Sequence, residues 1–195
     1  MDLDQDGDND IVTKLKSNQV LAWCQNNGKG EFAAPQQIED LQNLFSYANG
    51  LEVSDLDGDK LPEIVTTIYP GHLVWYKNKG GGTFSTSTRV STNNLPWSIS
   101  NYRLVDIDRD QDKDIIVVVA YHLFLLFEND GTGKFVEKQL INDLEEPTIL
   151  DLKIEDMDGD GDMDILAGTE NYGGLVIWYQ NDGKQHFIKQ TIYPG

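Results

Sequence analysis

The chain has 195 residues, 39% of them hydrophobic and 10% aromatic, so it can bury a sizeable core and does not read as disordered. Its formal charge of -18, from 33 acidic against 15 basic residues, argues against a nucleic-acid partner and against attraction to an anionic membrane surface. Cys24 is the sole cysteine, which leaves no internal disulfide, and no apolar run reaches membrane-spanning length.

In chain order the first feature is an acidic stretch, "DLDQDGDNDIV", which begins directly after Met1 and has none of the apolar character of a secretory leader. Three short strands are expected next: "DIVTKL", "VLAWCQ" and, after the turn "NNGKG", "EFAAPQQI". "SYANGLEVSD" then leads as a strand into a second acidic stretch, "DLDGDKLPEIV". The series continues with "LVWYKN", the turn "NKGGG", "TFSTSTRV" and "SISNYRLVDI". A third acidic stretch, "DIDRDQDKDII", opens "DIIVVVAY", followed by "LFLLFEN", "NDGTG", "KFVEKQLI" and "TILDLKIEDM". The fourth, "DMDGDGDMDIL", is followed by "LVIWYQN", "NDGKQ" and "HFIKQTIY". No segment carries a helical period.

The chain is therefore a tandem array. The acidic stretches start 53, 51 and 50 residues apart, and 20 to 22 residues after each start stands Trp23, Trp75, Leu126 or Trp178. Each of these precedes a Phe by nine residues, with an Asn three residues on and a Gly five residues on in all four copies. Four short antiparallel strands per repeat of about 50 residues point to an all-β chain of four-stranded β-propeller blades. The repeats are about 2–54, 55–105, 106–155 and 156–195, forming one array. Three blades are complete, and one lacks its first strand. The phase of the array leads to the expectation of a fragment or half of a larger propeller, or of a chain that closes by pairing with another copy.

The acidic stretches read as metal sites. Carboxylates fall at positions 1, 3, 5 and 9 of each loop. They are Asp2, Asp4, Asp6 and Asp10 in loop one, and Asp55, Asp57, Asp59 and Glu63 in loop two. Loop three has Asp106, Asp108, Asp110 and Asp114, and loop four has Asp156, Asp158, Asp160 and Asp164. The backbone carbonyl at position 7 (Asp8, Leu61, Asp112 or Asp162) is a further candidate ligand. Hard oxygens at this density suit Ca²⁺, up to four ions, better than Mg²⁺ with its stricter octahedral demand. An EF-hand is excluded, because position 12 holds Thr13, Thr66, Val117 or Ala167 rather than Glu, and strands flank the loops. Gly7 and Gly161 at position 6 ease the turn, whereas Lys60 and Gln111 replace them elsewhere. Loop four, the most complete, is expected to bind tightest.

These paired motifs, "DxDxDGxxDI/L" with "WYxNDGxGxF", resemble the FG-GAP/VCBS repeat family, which is related to the integrin α-subunit β-propeller. The resemblance covers essentially the whole chain. It implies Ca²⁺ in the loop between the first and second strands of a blade, and ligand binding on the opposite face. It also implies an extracellular or cell-surface setting, in adhesion, carbohydrate binding or as an accessory domain of a larger protein. Opposite the acidic loops it would place Tyr69, His72, Tyr121, His122, Glu170 and Tyr172, with Phe45, Tyr47 and Trp97 nearby. No nucleophile–base pair or phosphate-cradling loop is visible, so a non-catalytic role is expected. The alternatives are a lectin-like carbohydrate-binding domain and an accessory domain of a polysaccharide-processing enzyme. The motif tryptophans are expected in the core, Cys24 as a packing residue, and Asn26, Asn78, Asn129 and Asn181 as turn formers.

Overall fold

The computed structural model describes residues 1–15, 19–41, 50–68, 71–91, 99–142, 148–170 and 173–193. Tyr69, Tyr172, Phe45, Tyr47 and Trp97 lie outside these residues. Among those described there are fifteen strands and no helix. Two compact units, Met1–Thr92 and Asn93–Gly195, each hold two sheets.

The first sheet has three strands, β1 (Ile11–Leu15), β2 (Val20–Cys24) and β3 (Gln36–Asp40), in that order. The other three sheets have four strands each, and all neighbours pair antiparallel in sequence order. The second is β4 (Leu51–Ser54), β5 (Glu63–Ile68), β6 (His72–Tyr76) and β7 (Thr88–Arg89). The third is β8 (Ile99–Val105), β9 (Asp114–Val119), β10 (Leu123–Asn129) and β11 (Phe135–Asn142). The fourth is β12 (Ile149–Glu155), β13 (Asp164–Thr169), β14 (Val176–Asn181) and β15 (Phe187–Tyr193). The short sheet is the one the repeat phase places first.

Burial follows composition. β5 and β9 are buried at every position, as strands covered on both faces should be, including the carboxylates Glu63 and Asp114 that open them. The last strand of each sheet is largely exposed, including the apolar Val136, Ile188 and Ile192, and in the second sheet it shrinks to Thr88–Arg89, shorter than the expected "TFSTSTRV". Ser and Thr there bring too little apolar surface to hold a longer pairing. In the first unit Leu21, Leu41, Ile64, Ile68, Val74 and Tyr76 form the core. In the second, Ile116, Val118, Phe124, Leu126, Ile165, Ile177 and Tyr179 belong to a larger cluster, with Phe124 and Tyr179 edge to face at 5.4 Å. Trp23 and Trp75 are buried as expected, whereas Trp178 is half-buried.

The register explains why the two motifs keep their distance. Ile11 pairs with Cys24, Ile64 with Tyr76, Ile115 with Phe127 and Ile165 with Tyr179. The strand that leaves the acidic loop is therefore antiparallel to the strand that enters the Asn-Gly hairpin, and both motifs meet at one end of each sheet. Asn and Phe of the second motif close that hairpin opposite one another, as Asn26–Phe32, Asn78–Phe84, Asn129–Phe135 and Asn181–Phe187.

Candidate metal centres

Each acidic loop is wound around its own carboxylates. At position 1, Asp2 accepts the backbone N–H groups of Gln5 and Gly7 at 2.7 and 3.0 Å. Asp55 accepts those of Gly58 and Lys60, both at 2.9 Å, and Asp156 those of Gly159 and Gly161 at 2.7 and 2.9 Å. This geometry puts positions 4 and 6 in the left-handed region in every loop. It suits Gly58 and Gly159, but Gln5 (φ 66°), Lys60 (φ 70°), Arg109 (φ 66°) and Gln111 (φ 79°) adopt it as well. Position 5 accepts the N–H of position 7 in all four loops, at 3.0, 2.9, 2.9 and 2.8 Å.

Position 9 is the most enclosed. Asp10, Glu63, Asp114 and Asp164 are all buried. Each accepts one N–H from position 2 of its own loop (Leu3, Leu56, Ile107 or Met157) at 2.9 to 3.1 Å. Its second oxygen accepts the N–H of the motif asparagine, at 2.9, 3.2, 2.9 and 2.8 Å. Burial raises the Glu63 carboxyl to about 7 and that of Asp114 to about 6, against the pull of these N–H donors.

Oxygens from three acidic residues come within 4.8 Å of one another in every loop. The trios are Asp2, Asp4 and Asp6; Asp55, Asp57 and Glu63; Asp106, Asp108 and Asp114; and Asp156, Asp158 and Asp160. In loop three Asp106 Oδ1 is buried with no hydrogen-bond partner, and in loop two the same is true of Asp57 Oδ1. A buried carboxylate oxygen without a donor is costly unless a cation takes it, so the donor set of loop three fits a hard divalent ion. The side chain at position 7 turns away from the cluster. Asp8, Asp112 and Asp162 lie where a Cβ on Gly28, Gly131 and Gly183 of the hairpin would stand, which leaves the position 7 carbonyl as its route to a cation.

A match to the FG-GAP-like repeat model occurs three times in overlapping windows, at residues 2–66, 55–117 and 106–167. The chain belongs to the FG-GAP-like repeat family. No curated protein matches it. Among solved structures, it aligns with a chain from the Photorhabdus luminescens Tc holotoxin pore at 14% identity and a TM-score of 0.48. That alignment covers 96% of this chain and 9% of the toxin chain.

Two roles within these FG-GAP-like repeats escape the sequence. The motif asparagine does more than shape a turn: its Nδ2 donates to the carbonyl at position 8 of the loop, Asn9, Pro62, Lys113 or Met163, at 3.0 to 3.2 Å. The residue before it also reaches the loop. Gln25 Nε2 donates to Asp4 at 2.7 Å, Gln180 Nε2 to Asp158 at 2.5 Å, and Lys77 Nζ to Asp57 and Asp59. Glu128, the fourth in this series, stands beside Asp108. Electrostatics diverge accordingly. Hydrogen bonding to Lys77 lowers Asp59, whereas burial raises Asp4 and Asp108, with neighbouring carboxylates adding to the effect. The common signal was position: all four residues stand directly before the asparagine.

At the opposite sheet end His72 opens β6, Tyr121 and His122 occupy the β9–β10 turn, and Glu170 follows β13. Burial, then the charge of Arg89, holds His72 below the usual histidine range. Ala120 and Tyr121 are both left-handed, with φ 51° and 69°.

Proposed function

We propose that the four sheets are blades of a calcium-stabilised β-propeller serving as a non-catalytic extracellular binding or adhesion module for a protein or glycan. The observation that carries this reading is the convergence of three acidic residues in every loop, with Asp106 Oδ1 buried and unpartnered in loop three. The ligands would be the carboxylates at positions 1, 3, 5 and 9 with the position 7 carbonyl. Bound Ca²⁺ neutralises carboxylates that otherwise repel, and so ties the hairpin to the acidic loop. Each ion held only by the folded state adds about 2.7 kcal/mol of stability at a hundredfold excess over its Kd.

Recognition belongs to the sheet ends away from the loops, and a second copy is a candidate partner for completing the array. A lectin-like variant of this reading is favoured by Tyr121, which is 46% exposed on a left-handed turn beside His122, where its ring is free to stack on a sugar. Calorimetric titration of chelator-treated protein with CaCl2, with melting curves in Ca²⁺ and in chelator, tests the metal reading. Heat of binding and a higher melting temperature in Ca²⁺ are expected, and the absence of both overturns it. Loss of glycan-array binding in Tyr121→Ala would favour the lectin-like variant.

A further inference from the structure

The residue before the motif asparagine reaches the loop carboxylates from the neighbouring strand, and its charge changes from repeat to repeat. In loop one it is a neutral amide, Gln25, with Nε2 2.7 Å from Asp4 Oδ2 and 3.2 Å from Asp6 Oδ2. In loop four it is again an amide, Gln180. In loop three it is Glu128, a carboxylate whose own partner is Lys138 at 2.5 Å. In loop two it is an ammonium: Lys77 Nζ bonds Asp57 Oδ2 and, at 2.8 Å, Asp59 Oδ2.

We propose that Lys77 is the built-in cation of loop two, so that this loop is closed by an ammonium where the other three take a divalent ion. The inference rests on the calcium reading of loops one, three and four. Lysine presents a compact point charge with three donors, and here it occupies the same pair of carboxylates, positions 3 and 5, that an incoming ion needs. A divalent ion sharing those carboxylates would sit within a few ångströms of a like charge. Even with full aqueous screening, that repulsion weakens its binding by about tenfold or more.

The rest of loop two agrees. Position 6 is Lys60 and position 7 is Leu61, so the loop carries four carboxylates and a lysine of its own beside Lys77. Each of the other loops has five aspartates across positions 1 to 9.

The test is to count bound Ca²⁺ by native mass spectrometry and equilibrium dialysis in the full chain and two variants. Lys77→Gln gives loop two the amide of loops one and four, and is expected to add one ion per chain. Gln180→Lys transplants the ammonium into loop four, and is expected to remove one. Ion-free Lys77→Gln should also melt below the parent and recover in Ca²⁺, whereas ion-free Gln180→Lys should melt above it. Four ions in the parent protein, or an unchanged count in either variant that folds, overturns the proposal while leaving the calcium reading intact. No uptake by any of the three overturns the calcium reading itself. Should Lys77→Gln fail to fold without an ion, Gln180→Lys still decides.

Discussion

Replacing Asn78 by alanine measures how firmly a hairpin is locked to its acidic loop. Asn78 is fully buried. Its Nδ2 donates to the carbonyls of Leu3 and Pro62 at 2.9 and 3.2 Å, and its Oδ1 accepts the N–H of Gly80 at 2.9 Å. The Leu3 bond ties the second repeat to the first, across 75 residues of sequence. Alanine removes three bonds, each contributing about 1 kcal/mol net, and leaves buried carbonyls without those donors, so a loss of about 3 kcal/mol is expected. Asn26 is the internal control, in the same compact unit. It makes the equivalent bonds to Asn9 at 3.0 Å and Gly28 at 3.2 Å, but in an exposed setting where water replaces them. Asn26→Ala should therefore cost about 1 kcal/mol or less. Urea unfolding in excess chelator reads the difference, and at a slope of about 2 kcal/mol/M the midpoints should separate by about 1 M. Equal shifts for the two variants would refute the argument, because burial and the inter-repeat bond are all that distinguish them.

Gln111→Gly should stabilise the protein by about 1 kcal/mol, because a non-glycine residue at φ 79° carries left-handed strain that glycine does not; a calorimetric melt checks this. Gly82→Ala should cost about 3 kcal/mol, since its new Cβ would overlap the buried Trp23 ring, whereas Gly81→Ala meets open space and pays only the backbone term of about 1 kcal/mol; paired urea curves separate the two. pH acts through Glu63 and Asp114, whose carboxyls are raised by burial to about 7 and about 6 from ordinary values of 4.5 and 3.8. Between the ordinary and raised values the folded chain holds protons that the unfolded chain has released, so the stability of ion-free protein should fall as pH rises from about 4 to about 7. Melting temperatures in chelator across that range test the sign, and a rise over the same window would contradict it.

The parts of this fold legible in the sequence are those fixed by short-range rules repeated four times. Alternate aspartates, Asn-Gly turns and β-branched runs have local meanings, and repetition removes the ambiguity of any single copy. The three-stranded first sheet followed from phase alone. What escaped depended on register. Gln25, Lys77, Glu128 and Gln180 reach across the sheet end to carboxylates some 20 residues earlier, a contact set by strand pairing rather than by any local pattern. The left-handed conformation at position 4 was hidden for a related reason. Gly58 and Gly159 advertise it, but Gln5 and Arg109 adopt it under the pull of the surrounding loop. β7 was overextended because a Ser/Thr-rich segment has β propensity yet nothing to bury.

The hydrogen bonds within the loops also change what a cation has to do. In an unfolded chain the alternating carboxylates simply repel. In the folded loops positions 1, 5 and 9 accept backbone N–H groups in every repeat, and position 9 uses both of its oxygens to do so. Much of the negative charge is thus met by the loop's own backbone. Lys77 is the far end of that trend, a repeat in which side chain and backbone together supply the positive charge. On the calcium reading proposed above, a divalent ion in the remaining loops adds to backbone hydrogen bonding that each loop already has.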